Sequence, residues 1–296
     1  MPFEETWTRF SESLLKYADG LFVSNHALEK KFGGMIIPHA RDEFRFDPSL
    51  YDKAMRRNEL GIDDNDKVVL FLGTPREHKG VAEVLNAIIV CDNPNYKLCV
   101  IGSPPDKAYE KKLKRLGGDN LIMLPDQPFD KLPENLIIAD LVCLIQNVES
   151  DISKYQLPAK AVDALAMGIP VLATRTEPLE TLIQAGAIEP VTIDELSGKI
   201  DQILINSDLY RLKQLENRDL FLKQYSYKAI GEKIYNEILH ALERPKKLPH
   251  NALDFLQIQK KMSVKEPDGI SKPKEGEGGE VVLLWKQNNT GIYGRR

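Results

Sequence analysis

The chain has 296 residues, 42% of them hydrophobic and 28% charged, which is enough to bury a core without disulfides or a structural metal. With 40 Lys and Arg against 44 Asp and Glu, the net charge of −4 gives no electrostatic footprint for nucleic acid, so any anion site must be local. The cysteines, Cys91, Cys99 and Cys143, lie far apart in apolar surroundings and read as buried thiols of a reducing compartment, not as a disulfide framework.

The acidic opening Met1-Pro2-Phe3-Glu4-Glu5 lacks the basic and apolar regions of a signal peptide, and no apolar run approaches the ~20 residues of a membrane span. The expectation is a cytoplasmic protein, with peripheral attachment to a membrane left open. Helical residues Ser13 to Tyr17 and a strand at Leu21-Phe22-Val23 come first. Val68 to Leu72 is then a continuous apolar run ending in Gly73, the pattern of a strand buried on both faces. A helix over Gly80–Val90, a strand over Leu98–Ile101, a helix over Lys107–Leu116 and a strand over Asn120–Leu124 follow. After them come a helix near Lys131–Ile138, a strand over Asp140–Ile145, a helix over Ala159–Met167 and a strand over Pro170–Thr174. Regular alternation with short connections predicts an α/β fold with a doubly wound parallel sheet.

Residues 193–243 change to three successive helices, Ile193–Asn206, Ser207–Gln224 and Tyr227–Leu242, with Leu220, Phe221 and Leu222 expected to pack one of them onto the sheet. Residues 244–279 are polar and rich in Pro and Gly, the composition of a linker. Val281 to Trp285 is a strand-like run close to the end of the sequence, expected to open a further domain over residues 280–296.

Two segments carry candidate chemistry. In Gly73-Thr74-Pro75-Arg76-Glu77-His78-Lys79-Gly80, a strand hands over to a helix, where open α/β sheets hold ligands and helix-start N–H groups suit phosphate. Arg76 adds a bidentate fork and Lys79 a compact charge, both suited to a diphosphate whose negative charge grows as a bond to it breaks. The alternative is a solvated loop pair. In the second segment, Tyr155 to Val171, Pro158 stands where a helix begins and Gly168 where a left-handed residue ends it. Asp163 lies inside that otherwise apolar helix and needs a partner, either a ribose hydroxyl pair or a nearby cation such as Lys160.

Taken in order, these segments resemble the C-terminal domain of GT-B fold glycosyltransferases of the group 1, family 4 type. The resemblance rests on Gly73, Arg76, Lys79 and Gly80, and on Pro158, Lys160, Asp163, Ala164, Leu165, Ala166, Gly168, Pro170 and Val171. Val23-Ser24-Asn25, Ile37 to Asp42 and Phe46-Asp47-Pro48 resemble the stretch that closes the N-terminal domain and crosses the cleft; the match spans about residues 18–240. It implies that residues 1–45 are the last part of an N-terminal domain and residues 46–243 a Rossmann-like nucleotide-sugar-binding domain.

The resemblance further implies sugar transfer from a nucleotide-sugar donor to an acceptor hydroxyl of a glycan or lipid-linked acceptor. Transfer would proceed with retention, without an essential metal or another cofactor. Gly73, Arg76 and Lys79 would face the diphosphate, Pro158 and Lys160 would contribute to the donor site, and Asp163 would stand at the ribose-binding acid. This sequence departs from the family where Tyr155 replaces the first glutamate of the usual acid pair, leaving Glu149 and Asp151 as candidates for the sugar-facing catalytic acid. His39-Ala40 replaces the usual Asn-Gly of the crossing stretch. The closing residues resemble the start of another unit of the same kind, so a donor-binding domain without catalysis, or a piece of a longer tandem glycosyltransferase, is the second expectation.

Overall fold

Val68, Val69, Leu70 and Phe71 are each buried, as a run without polar alternation requires of a strand covered on both faces. The computed structural model, which describes residues 2–243, places this strand at the centre of a six-stranded parallel sheet. In chain order come α1 (Pro2–Leu14), β1 (Phe22–Val23), α2 (His26–Phe32), β2 (Met35–Ile36) and α3 (Lys53–Glu59), with β1 and β2 pairing in parallel. The large sheet begins with β3 (Lys67–Leu72), α4 (Val81–Val90), β4 (Tyr96–Ile101), α5 (Lys107–Gly117) and β5 (Leu121–Leu124). It continues through α6 (Leu132–Leu136), β6 (Leu141–Leu144), α7 (Asp151–Tyr155), α8 (Ala159–Ala166), β7 (Val171–Ala173), α9 (Glu180–Gln184) and β8 (Glu189–Pro190). Three helices close the fold: α10 (Leu196–Ile205), α11 (Ser207–Gln224) and α12 (Tyr227–Glu243).

The strand order is β5-β4-β3-β6-β7-β8, all pairs parallel. The chain therefore starts in the middle, winds outward to β5, returns beside β3 at β6 and winds outward the other way. That reversal leaves a crevice beyond the carboxyl ends of β3 and β6, where doubly wound sheets bind ligands. Alternate strand residues feed two cores. Val69, Phe71, Leu98 and Val100 pack under α4, α5 and α10, while Val68, Leu70, Cys99 and Ile101 pack under α6, α8, α9 and Phe221 of α11.

The opposite end of the sheet is locked by charge. Asp140, just before β6, accepts from the Val68 N–H at 2.7 Å, from Arg57 Nη2 at 2.7 Å and from Lys53 Nζ at 2.6 Å. Arg57, buried, also donates to the carbonyls of Ile138 and Asp66. Burial opposes the charge on Asp140, but Lys53, Arg57 and the Val68 N–H outweigh it and hold the carboxyl below its usual range.

The expected helices match closely, and Ser207–Gln224 matches at both ends. The helix expected near Lys131–Ile138 is shorter, a 3-10 turn over Phe129–Lys131 followed by α6, because the chain must straighten to present Asp140 to the head of β3. Leu220 and Phe221 pack on the core as expected, but Leu222 is exposed: at about 100° per residue it points about 200° away from Leu220. Cys99 and Cys143 are buried and Cys91 is half-buried, all as free thiols. The expected linker (244–279) and closing strand at Val281–Trp285 lie outside the described residues.

Replacing Asp140 by Asn should cost on the order of 3 kcal/mol in urea denaturation, since Arg57 is left buried without its counter-charge. Removing the surface partner Asp219 of Lys223 should cost under about 0.5 kcal/mol. Because the Asp140 pKa is depressed on folding, its stabilisation should be complete above the unfolded carboxylate pKa and fade as pH falls through the folded one. Equal stability of the wild type and Asp140→Asn at neutral pH would refute this.

Candidate functional site

The crevice is bounded by the loops that leave β3 and β6, and glycine lets them meet. Gly80 has φ of 67°, and any Cβ there would run into the Ile145 carbonyl just past β6. Gly73, at φ of 114°, ends β3, and a Cβ on Gly102 would strike its carbonyl from the β4 side. Between Gly73 and Gly80, Arg76 caps a single 3-10 turn over Glu77–Lys79, and Lys79 Nζ donates to the Thr74 carbonyl at 3.0 Å. The turn thus folds the Lys79 ammonium back toward the strand end. Burial and then Arg76 lower the Lys79 pKa.

The opposite wall is α8, which Pro158 introduces at φ of −66° and Gly168 follows at φ of 68°, as the sequence suggests. Lys160, in its first turn, places Nζ 4.0 Å from the centroid of the Phe71 ring and passes beneath Gly73. Among the described residues Lys160 makes no hydrogen bond or ion pair. Burial chiefly, with the Lys79 charge added and Asp163 opposing, brings its pKa down to about 7. Gly73, Lys79 and Lys160 therefore come together, with half-buried Arg76 beside Lys79, and burial followed by Lys79 and Arg76 lowers the His78 pKa as well.

Asp163 sits one turn further along α8. Its partner is Arg41, whose Nε donates to Oδ1 at 2.6 Å across a pair with side chains 16% and 7% exposed. Burial pushes the carboxyl up while Arg41 and Lys160 pull against it. The expected alternatives were a ribose or a cation such as Lys160, and a different cation fills the place. Arg41 is itself held through its backbone, donating to Tyr225 O at 3.0 Å and accepting from Tyr227 N at 2.9 Å. Two residues earlier, His39 Nε2 donates to the Leu157 carbonyl at 3.1 Å, and burial and then Arg41 lower its pKa, so the ring is neutral at pH 7.

The remaining candidates stand apart. Glu149 is exposed on a turn in which Asn147 Oδ1 accepts its N–H at 3.0 Å, and it lies beyond ion-pair distance of Lys79 and Lys160. Asp151 opens α7. Tyr155 closes α7, its carbonyl accepting from Asn25 Nδ2 at 2.9 Å and its ring lying 5.1 Å from Lys31 Nζ. Arg218, unmarked in the sequence, donates from α11 to the carbonyls of Phe46, Ala166 and Glu43, tying the crossing stretch to the end of α8. Among the described residues no group of His, Cys, Asp and Glu could hold a metal ion, and no helix is long and apolar enough to cross a membrane.

The family model described as glycosyl transferases group 1 matches residues 52–219, more than half of the sequence. The chain belongs to this family. The matched region carries Gly73, Arg76, Lys79, Lys160 and Asp163 and excludes His39 and Arg41. The chain is 28% identical to D-inositol 3-phosphate glycosyltransferase from Segniliparus rotundus over 66% of its own length and 41% of the relative. It is 26% identical to N-acetyl-alpha-D-glucosaminyl L-malate synthase from Bacillus anthracis over 64% of its length and 50% of the relative. It thus spans about half or less of the curated relatives it matches.

Among solved structures, HepE of Anabaena, determined with UDP and glucose, aligns with a TM-score of 0.65 at 20% identity over 76% of this chain and 64% of that one. Sucrose-phosphate synthase of Thermosynechococcus elongatus aligns at 0.65 and 19% identity over 80% of this chain and 62% of that one. These likenesses establish the expected α/β, GT-B type fold of this group 1 chain.

Gly80→Ala and Gly61→Ala separate close packing from backbone strain. Both glycines have positive φ, but of the two only Gly80 has neighbouring atoms within 4 Å of where a methyl group would sit. Gly61→Ala should cost about 1 kcal/mol in chemical denaturation. Gly80→Ala should cost about 1–3 kcal/mol more, because the Ile145 carbonyl cannot move without opening the two loops. Equal costs would show that the loops do not abut.

Proposed function

We propose that this chain supplies the donor-binding half of a glycosyltransferase that moves a sugar from a nucleoside diphosphate to an acceptor hydroxyl, with retention, in glycan biosynthesis. One observation carries the reading. Lys79 and Lys160 stand close together at the switch point, and the acid nearest to them, Asp163, is engaged by Arg41. Half-buried like charges with no carboxylate partner among the described residues suit an anionic ligand, and a leaving diphosphate needs such donors as its charge grows.

Gly73 gives the diphosphate close backbone approach, and Arg76, Lys79 and Lys160 hold it. Pro158 starts α8 with its first N–H groups turned to the donor. Asp163 Oδ1 belongs to Arg41, and Oδ2 accepts from a ribose hydroxyl. Glu149, in the turn between β6 and α7, or Asp151, the first residue of α7, supplies the acid that faces the transferred sugar. UDP is the first nucleotide to test, because a structure with the same fold was determined with it. The acceptor is a glycan or a lipid-linked glycan, bound with residues beyond this half, and the setting is cytoplasmic.

One observation favours a second reading, a domain that binds the donor without transfer. Tyr155 replaces the family's first glutamate and is fastened to α2 through Asn25. Release of nucleoside diphosphate from the donor, measured with a candidate acceptor, separates the two: tight binding with no turnover would leave only the second.

Calorimetry with UDP-, GDP- and CMP-sugars should reveal one preferred donor. Arg76→Ala should weaken its binding at least about tenfold, the loss of one charge-assisted hydrogen bond, while exposed Glu77→Ala should leave it within about twofold. Unchanged affinity in Arg76→Ala would overturn the phosphate assignment.

A further inference from the structure

Lys160 is surrounded by more positive than negative charge. From its own helix Asp163 faces it; from the loop after β3 come Lys79, with Arg76 and His78 behind it; from the crossing stretch come Arg41 and, through Leu157, His39. Asp163 would be the natural counter-ion three residues along α8, yet its Oδ1 is bonded to Arg41 at 2.6 Å. Nζ of Lys160 lies against the Phe71 ring, and no described carboxylate reaches it. Burial and the Lys79 charge loosen the proton on that amine, against the attraction of the Phe71 ring for its ammonium form, until a negative charge arrives.

We propose that donor binding is coupled to the uptake of one proton by Lys160, the diphosphate supplying the counter-charge that Arg41 keeps from it by engaging Asp163. Arg41 is then a positioning residue: it touches no donor atom but sets the charge state of the group that does. The proton comes from solvent and adds to the Nζ lone pair, and no other bond forms or breaks. This inference rests on the donor-site reading above. It also explains how two lysines can share the crevice in the unliganded protein, since neutral Lys160 removes their repulsion. At pH 7 the free amine is close to half-protonated, so its pKa of about 7 makes the coupling measurable on either side of neutrality.

Calorimetric titration with UDP-glucose and with GDP-mannose, each in two buffers of different ionisation heat, counts protons directly. Both donors carry only diphosphate diester groups, which do not titrate near neutral pH. Uptake should be close to one proton per donor at pH 8.0 and fall to about a tenth at pH 6.0, as an amine titrating near 7 requires. Uptake at His78 or His39 would follow the opposite trend.

Lys160→Arg, always charged, should bind donor with no uptake at pH 8.0. Arg41→Met should release Asp163 to Lys160 and reduce the uptake at least twofold, with a thermal melt confirming that it folds. Lys160→Arg decides the question by itself if Arg41→Met does not fold. Donor binding without proton uptake in the wild type, or uptake that survives in Lys160→Arg, would overturn the coupling while leaving the donor site in place. Failure of both donors to bind would instead overturn the donor-site reading, and the coupling with it.

Discussion

The ion pair between Arg41 and Asp163 joins three parts of the chain that are remote in sequence. Arg41 belongs to the stretch that follows β2, Asp163 to the middle of α8, and the backbone of Arg41 pairs with residues 225–227 at the start of α12. Desolvating both ions is costly, and removing Asp163 would leave Arg41 without its counter-charge at a cost of about 3–5 kcal/mol. The pair therefore sets register more than it adds stability. With His39 bonded to Leu157 and Arg218 bonded to Phe46 and Ala166, the crossing stretch grips α8 before its start, within it and at its last residue. The position of Lys160 follows from that grip.

Composition makes α8 suitable for this role. Ala161, Ala164 and Ala166 are completely buried, so the helix backbone lies close to the sheet with little side chain between. A helix with Leu or Ile at these positions would stand further off, and Lys160 would no longer reach the Phe71 ring under Gly73. The same close approach removes water from Lys160 and Asp163, which is why both charges respond strongly to their neighbours. Topology supplies the other wall. Because the winding reverses between β3 and β6, their outgoing loops diverge over the crevice, and Gly80 allows the two to touch at Ile145.

β3, β4, β6 and β7 were legible because each is an apolar run buried on both faces, and α11 because its pattern begins and ends with the helix; the two-residue strands β2 and β8, the latter Glu189–Pro190, carry no such run and were not expected. The short helices α3 and α7 were not: they have too few turns to show a period, and they form because Asp52 and Ser150 cap them, accepting from Met55 N and Ile152 N. Gly73, Arg76 and Lys79 were legible as a set from their spacing around one strand end, whereas Lys160, on α8, came only with the resemblance to the family. The partner of Asp163 was not. Lys160, three residues away on the same helix, is the cation that sequence offers, but the helix start directs it toward Phe71. Arg41 is 122 positions distant, and only the fold brings it in.

On the proposed reading, these charges bear on how a donor site can be both anion-seeking and stable when empty. A permanent counter-ion for Lys160 would keep the unliganded crevice neutral, but each donor would then have to displace a carboxylate. An uncompensated pair of ammonium ions would welcome the diphosphate but strain the empty fold. Committing Asp163 to Arg41 avoids both outcomes, because Lys160 can give up its proton when the crevice is empty and regain it when the diphosphate is present. On the proposed reading the sugar side is built differently. The first acid position is Tyr155, fastened to α2, so on that reading the acid for the sugar comes from Glu149 in the turn before α7 or from Asp151 at its start. That turn is held by Ser153, whose hydroxyl donates to Asn147 O and Ser150 O. The diphosphate end is thus shaped by rigid sheet and helix, and the sugar end by a side-chain-tied turn, which places the freedom to vary the transferred sugar in residues 146–151.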